Sequence, residues 1–286
     1  MTVHELKSVL AGHPDLPVRF LLPDGTAVAP HAPYTLEPDT LKAARALANK
    51  YSVPLLIHLA ETKDEVKMIQ DQRHASPAQF LESLGVWQGR ALAAHAVYLD
   101  DKDLSTLVTR GVGLAHNPGS NMKLASGVAE VQKWIAKGAR AGLGTDGAAS
   151  SNDLDMFQAM RLAAFLQKIT SGDPRALPAA HALDLATRSG AAALGMADKI
   201  GSLEPGKQAD IIAVAMDGAR QTPMFDPVSH LVYVAHGDDV RTTIVAGRVL
   251  MKDRQVLSLN AGDVLRDARA MAQRVKQAVA PAGGKK

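Results

Sequence analysis

The sequence predicts an α/β protein built on a parallel β-sheet or barrel, with a small β-rich part after it. Two observations support this prediction. Short, continuously apolar runs are typical of strands buried on both faces, and amphipathic stretches of helical length separate these runs. Strands that alternate with helices at this spacing favour a parallel sheet, because each helix returns the chain to the start of the next strand. The alternation ends near Ile200.

Five segments share the strand-like pattern, in which a mostly apolar run ends in a cluster of polar residues. They are Thr26–Tyr34, Val53–Glu61, Ala91–Leu99, Gly111–Asn121 and Ala139–Gly147. In parallel α/β proteins the groups that bind and react gather where strands end and loops begin. We therefore expect the five polar ends to project into one mouth.

The stretches between these runs have helical spacing and helix-boundary signals. Pro38 stands near the start of a predicted helix over Glu37–Ser52, where proline is tolerated. The predicted helix Asp100–Gly111 begins with acids that suit the positive end of the helix dipole and ends in glycine. Further helices are predicted over Gly127–Gly138, Leu154–Thr170 and Leu177–Met196.

Turns and short strands replace this alternation after about residue 200. A strand is predicted over Asp210–Ala215, and a hairpin turn at Ala246–Gly247 joins two further strand-like runs. We therefore divide the chain into a barrel-type domain (1–200), a β-rich part (201–260), and a terminal helix with a tail (261–286).

Composition and charge restrict the class of protein. The 286 residues suffice for one large domain or two smaller ones, and a net charge of +3 with 4% aromatic residues does not indicate binding of nucleic acid. No apolar run reaches the roughly 18 residues that span a bilayer, and the N-terminus lacks the apolar core of a signal peptide. With no cysteine, disulfides and thiolate metal sites are excluded. We expect a cytoplasmic protein that binds no membrane.

Residues that bind metals or transfer protons stand at the ends of the strand-like runs, namely His31, His58, His95, His116 and Asp146. Imidazole and carboxylate are ligands that zinc accepts without cysteine. A metal held by His58 and Asp146 would generate hydroxide from bound water, and His95 would hold that hydroxide by a hydrogen bond. Glu61, three residues after His58, would pass a proton between this water and a substrate nitrogen.

Each of these residues alone has a simpler interpretation. A single histidine at a strand end is more often structural than catalytic, Asp146 suits a turn or an N-cap, and Glu61 suits the first turn of a helix. Because polar residues occupy equivalent positions in succession, we favour a functional role for the set. Six histidines in loop or helical contexts are left aside: His4, His13, His74, His181, His230 and His236.

The strand-end motifs also occur in a recognisable order. They are "APHAPYTLEPDTL", "IHLAET", "AHAVYLDDKD", "VGLAHNPGSNMKLASG" and "GLGTDGAASSNDLDMF", followed by "IGSLEPGKQADIIAV". Together these motifs resemble the amidohydrolase superfamily over roughly Val28 to Asn260. They are most similar to its group of S-adenosylhomocysteine and 5-methylthioadenosine deaminases, alongside the triazine chlorohydrolases.

This resemblance implies a metal-dependent hydrolase of the (β/α)₈ or TIM barrel type, incomplete here because only strands four to eight have counterparts, with a small C-terminal β-sandwich portion. It implies one zinc ion or similar divalent metal, bound by His58 and Asp146. Glu61, His95 and Asp146 would be catalytic: Glu61 protonates a ring nitrogen, His95 stands beside the metal-bound water, and Asp146 takes a proton from it. Substrate contacts are implied for His31, Glu61, His116, Asn117 and Asn121.

The implied activity is hydrolysis of a carbon–nitrogen bond other than a peptide bond, as an aminohydrolase that deaminates an adenine nucleoside thioether. Two alternatives stay open. One is a triazine or other heterocycle hydrolase with the same metal chemistry. The other is an inactive pseudoenzyme or an assembly subunit.

This sequence lacks one motif of the family, and its absence affects each of these alternatives. The family's first strand carries a His-x-His pair of metal ligands, and no His-x-His occurs in this sequence. Three explanations are considered: a truncated sequence whose Met1 is an internal methionine, a homo-oligomer or partner chain that supplies the missing barrel strands, and a degenerate relative without metal. We favour the first, and we expect weak metal binding and little activity from these 286 residues alone.

Overall fold

The computed structural model describes residues 27–279 and contains a parallel sheet with helices, followed by an antiparallel sheet. The parallel sheet is formed by β1 (Leu55–Leu59), β2 (Ala91–His95), β3 (Gly113–His116) and β4 (Arg140–Leu143). Several predictions lie outside the described residues because they concern residues 1–26 or 280–286. They are the first residue of the first strand-like run, the absence of a signal peptide, two of the histidines set aside, and the terminal tail.

The four strands are neighbours in chain order, and all their pairings are parallel. The first strand-like run lies on the other side of β1, where Val28 forms a parallel bridge to Leu55. Farther along, the amide of His58 donates to the carbonyl of His31 at 3.1 Å. The five predicted runs therefore lie side by side in chain order, with their carboxyl ends at one edge as predicted. The predicted α/β class is confirmed, and the incomplete barrel agrees with this arrangement.

Ten α-helices connect or follow these strands within the first part of the described chain. They are α1 (Pro38–Lys50), α2 (Lys63–Arg73), α3 (Pro77–Ser83), α4 (Asp101–Arg110), α5 (Pro118–Lys123), α6 (Val131–Ala136), α7 (Ala148–Ser151), α8 (Met156–Ser171), α9 (Ala179–Ala186) and α10 (Arg188–Ala193). The apolar core forms between the helices and one face of the sheet, where Leu55, Ile57 and Leu59 are buried. Their neighbours Leu56 and His58 are only half-buried. Among the described residues, β1 is therefore fully buried on only one of its two faces, whereas the sequence predicted burial of both faces.

The helix predicted over residues 177–196 is two helices, because the chain breaks at Thr187 (φ −128°, ψ −99°) between α9 and α10. The break places α10 directly on the backbone of the sheet. A Cβ atom on Gly113 would lie 2.0 Å from the carbonyl oxygen of Ala193, and one on Gly142 would lie 2.9 Å from the Cα of Gly190. Glycine at these positions therefore permits the close approach of helix and sheet.

The second sheet is antiparallel, in the order β5 (Ile211–Val214), β6 (Val240–Val245), β7 (Arg248–Lys252) and β8 (Gln255–Val256). The predicted hairpin is confirmed, because Ala246 (φ 48°) and Gly247 (φ 77°) both take the left-handed conformation of a tight turn. The helices of this part are α11 (Pro227–Tyr233) and α12 (Ala261–Val279). Every residue of α12 is exposed. The predicted division into domains stays a prediction.

Within residues 27–279, no helix is both long enough and apolar enough to cross a membrane.

Candidate functional site

Side chains that follow β1 and β4 meet around the ring of His95, which lies at the end of β2. Its Nε2 atom lies 3.8 Å from Oε2 of Glu61 and 4.0 Å from Oδ2 of Asp146. The ring of His58 stacks on that of His95 with centroids 5.4 Å apart, and the ring of His31 lies 5.0 Å from that of His58. The structure thus brings together seven of the eight predicted site residues at the expected edge of the sheet, because Asn117 and Asn121 also contact the ring of His95.

The hydrogen bonds of His58 determine which ring nitrogen is available. Its Nδ1 lies 2.7 Å from the carbonyl oxygen of His31. A carbonyl oxygen only accepts, so Nδ1 carries the hydrogen and Nε2 keeps its lone pair. Metal-binding histidines are commonly oriented in this way by a carbonyl group.

The position of His95 depends on an uncommon backbone conformation. His95 and Ala96 have φ values of 71° and 49°, which residues other than glycine adopt rarely. The amide of Ala96 nevertheless donates to the carbonyl of Leu59 at 2.9 Å, so the strand end stays attached to β1. The side chain of His95 is 1% exposed. Uncommon backbone conformations of this kind are concentrated at functional sites.

Glu61 stands in a turn before α2, and a second carboxylate fixes that turn. The buried side chain of Glu65 accepts hydrogen bonds from the amides of Ala60 (2.9 Å) and Glu61 (2.7 Å). Burial raises the pKa of Glu65, and these amide bonds lower it only in part. The hydroxyl of Ser126 donates to Oε1 of Glu61 at 3.1 Å. Because Thr62 is the N-cap of α2, Glu61 precedes the helix and is not an acid of its first turn.

Asp146 also has a left-handed backbone conformation (φ 60°). The amide of Gly147 donates to its Oδ1 at 2.6 Å. Burial raises the pKa of Asp146, but the neighbouring Ser120 hydroxyl, this amide, and the two imidazoles together lower it below the usual range. Asp146 is not the N-cap of α7, a position that Gly147 occupies. The arrangement favours an ionised carboxylate beside His95.

The three candidates in the "HNPGSN" motif are buried. Both ring nitrogens of His116 lack a hydrogen-bond partner among residues 27–279, and burial lowers its pKa to about 3. The Oδ1 atom of Asn117 occupies the space beside Gly144, 2.3 Å from where a Cβ atom would be. Asn121 is fully buried against His95. Their predicted substrate contacts stay predictions.

Sequence reasoning missed Glu65, Ser120 and Ser126. Glu65 follows Glu61 by four residues and has the appearance of an ordinary first-turn acid of α2. The two serines belong to a motif whose asparagines drew attention instead. No signal in the sequence separates them from capping or loop residues.

The fit of a metal ion can be judged from the donor atoms. Nε2 of His58 and the carboxylate of Asp146 are suitable zinc ligands. Within residues 27–279, however, no three side chains of histidine, aspartate or glutamate are arranged to hold an ion. A zinc site needs at least three protein ligands, so the described residues fit part of a site and do not complete one.

A cavity of about 560 Å³ opens elsewhere, between β4, α9 and β5. Its lining is mainly apolar and includes Leu143, Leu185 and Ile211. None of the predicted site residues lines it. The predicted site residues at the strand ends therefore lie outside this cavity.

Comparisons with known proteins agree with the strand-end motifs. Residues 22–250 match the model of the amidohydrolase family. The chain is 46% identical over 252 residues to a protein of Desulforudis audaxviator named 5-methylthioadenosine/S-adenosylhomocysteine deaminase, a match that covers 88% of this chain and 59% of that protein.

Two solved structures are similar to this one. One is an adenosine deaminase from Xanthomonas campestris with bound zinc, with a TM-score of 0.85 and 36% identity over 88% of this chain and 58% of the other. The second is the atrazine chlorohydrolase from Arthrobacter aurescens complexed with zinc, with a TM-score of 0.82 and 26% identity over 94% and 60%. This chain thus spans less than two thirds of the length of each of these three proteins.

Proposed function

This chain belongs to the amidohydrolase family, and from that premise we propose that its strand-end residues serve an aminohydrolase that deaminates adenine nucleoside thioethers such as S-adenosylhomocysteine and 5-methylthioadenosine. The observation that supports this most directly is the position of His95, with Nε2 within 4.0 Å of a carboxylate on either side. Deamination needs a proton donor for a ring nitrogen and a base for water, and two carboxylates in different surroundings supply them.

In this proposal Glu61 donates a proton to the ring nitrogen beside the amino-bearing carbon. Asp146 accepts a proton from water as the water oxygen bonds to that carbon, and His95 orients the water. Asp146 then passes its proton to the amino group, the carbon–nitrogen bond breaks, and ammonia leaves. Glu61 recovers a proton from the new hydroxyl group, which becomes the carbonyl of the product.

The lowered pKa of Asp146 suits a group that must be ionised before the reaction begins. The hydrogen bond from Ser126 and the two amide bonds to Glu65 hold Glu61 in a fixed orientation. Fixed orientation of the reacting groups accounts for a large part of enzymatic rate enhancement.

An adenine nucleoside is favoured over a triazine by the degree of similarity. The relative named for thioether nucleosides is 46% identical, whereas the triazine enzyme is 26% identical. A small molecule is the proposed ligand in either case.

Zinc is the proposed cofactor, with His58 and Asp146 as two of its ligands. When bound, the ion would supply a Lewis acid that activates water. We place the protein in the cytoplasm as part of the same proposal, because it has no cysteine that an oxidising compartment would pair.

The proposal is tested in the presence of zinc by ammonia release from S-adenosylhomocysteine and 5-methylthioadenosine, and by chloride release from atrazine. We expect little turnover from the 286-residue chain, and turnover of the two nucleosides from a chimera that joins this chain to the part of the Desulforudis protein that it does not match. Glu61→Gln should abolish that turnover, because the amide cannot donate the proton. A folded, zinc-loaded chimera that hydrolyses only atrazine, or nothing, would contradict the proposal.

A further inference from the structure

Asn121 packs against the ring of His95 in the interior of the site. Its Oδ1 lies 2.8 Å from Nδ1 of His95, and the two side chains are 0% and 1% exposed. This nitrogen is on the opposite side of the ring from Nε2, which faces Glu61 and Asp146. A neutral imidazole has one hydrogen, so the partner of Nδ1 determines whether Nε2 is a donor or an acceptor.

We infer that Asn121 is a positioning residue that keeps the hydrogen of His95 on Nδ1. The amide oxygen of Asn121 only accepts, so the short contact requires an N–H on the ring. Nε2 then presents a lone pair to the space between the two carboxylates. This inference rests on the proposed function and replaces the predicted role of Asn121 as a substrate contact.

The backbone around Asn121 supports a positioning role. Its amide donates to the carbonyl of Asn117 at 3.0 Å, and its carbonyl accepts from the amide of Ser126 at 2.9 Å. Both backbone groups of Asn121 are therefore hydrogen-bonded, one within α5 and one to the loop that follows it. No part of its side chain is exposed. Its Nδ2 has no hydrogen-bond partner among residues 27–279, so burial and the contact with His95 are what hold the side chain.

The side-chain amide of Asn117 also lies near Nδ1 of His95, and its contact would favour the other tautomer of the ring. Nδ2 of Asn117 lies 3.5 Å from Nδ1 of His95. An amide nitrogen donates, so this contact would require a lone pair on Nδ1 and a hydrogen on Nε2. The contact of Asn121 is shorter by 0.7 Å, which favours the hydrogen on Nδ1.

The tautomer has a chemical consequence for the proposed reaction. With its lone pair on Nε2, His95 accepts a hydrogen bond from water held between Glu61 and Asp146. With a hydrogen there, it would donate to the water oxygen and compete with the attack on carbon. Asn121 therefore determines whether His95 assists the removal of a proton from water.

The experiment is nuclear magnetic resonance of the chain labelled with ¹⁵N in its ten histidines, at a pH where the ring is neutral. The ring nitrogens that carry hydrogen and those that do not differ widely in chemical shift. His95→Gln assigns the signals. The test variants are Asn121→Leu, which removes the acceptor, and Asn121→Asp, which retains one. The matched control is Asn117→Leu.

We expect the hydrogen of His95 on Nδ1 in the unmodified chain, in Asn121→Asp and in Asn117→Leu, with a shift toward Nε2 only in Asn121→Leu. A hydrogen on Nε2 in the unmodified chain would overturn the inference, as would a change of tautomer in Asn117→Leu alone. If Asn121→Leu does not fold, the unmodified chain and the other two variants still decide between the tautomers.

Kinetics of the active chimera separate positioning from substrate contact. Asn121→Leu should lower kcat at least tenfold with little change in KM, and Asn121→Asp should recover part of the rate. A rise in KM at unchanged kcat would indicate substrate contact and overturn the inference. Failure of the proposed function would leave the chimera inactive but would not change the tautomer of His95.

Discussion

The carboxylate of Glu65 accepts a hydrogen bond of 2.7 Å from the backbone amide of Glu61, and the same side chain accepts the amide of Ala60. Glu65 therefore fixes the turn from which Glu61 reaches His95. The two backbone N–H groups replace part of the water that this buried carboxylate loses, although burial still raises its pKa.

Glu65→Gln should destabilise the protein by about 1–3 kcal/mol, because the new amide group presents an N–H to one of the two backbone N–H groups. The measurement is urea-induced unfolding near neutral pH. Glu82→Gln is the matched control, since Glu82 pairs with Arg110 at a more exposed position and its loss should cost less than about 1 kcal/mol. Equal effects of the two variants would contradict the role given to Glu65.

His116 predicts an acid sensitivity of folding. Its pKa is lowered from 6.5 to about 3 by burial in the folded state. As the pH falls below about 6.5, the unfolded chain takes up a proton that the folded chain refuses until about pH 3, so stability is lost across this window. At pH 5 the loss from this group should be about 2 kcal/mol relative to neutral pH.

The measurement is the free energy of unfolding at pH 5 and pH 7.5. His116→Gln should lose less stability on acidification than the unmodified chain, because its side chain does not titrate. His181→Gln serves as control, since His181 lies exposed on α9 and should leave the pH dependence unchanged. An unaltered pH dependence in His116→Gln would show that His116 is protonated or accessible when folded.

The alternation of apolar runs and helices was enough to predict a parallel sheet and the common edge where His58, His95 and Asp146 meet. That succeeded because parallel strands place their carboxyl ends together whatever the details of packing. The hairpin at Ala246–Gly247 was predictable because two strand-like runs flank a glycine, which readily adopts the positive φ that a tight turn requires.

The burial of polar side chains was not predictable. Glu65 is an acid that the chain buries by supplying amide donors from a turn, and no residue pattern records that turn. The break between α9 and α10 at Thr187 was missed for a related reason. The break allows α10 to pack closely on Gly113, and that packing is a tertiary contact. Such contacts override local helical pattern.

Removal of α12 should have almost no effect on the stability of the remaining chain. All its residues are exposed, and none of its side chains belongs to the buried core of the described structure. A chain ending at Asn260 should therefore unfold within about 0.5 kcal/mol of the 286-residue chain in urea. A larger loss would mean that α12 packs against the protein in solution.

Gly113→Ala should destabilise the sheet strongly, because the added methyl group would lie 2.0 Å from the carbonyl oxygen of Ala193. Either α10 or β3 must move, and we expect a loss of about 3 kcal/mol or more in urea-induced unfolding. Gly119→Ala, in α5, is the matched control. Its added methyl group would contact only Ser151 and Leu162, at ordinary distances of 3.6 Å and 3.8 Å. Alanine is also the better helix former, so this variant should be neutral or slightly more stable. If Gly113→Ala were as stable as Gly119→Ala, α10 would not rest on β3 as the structure has it.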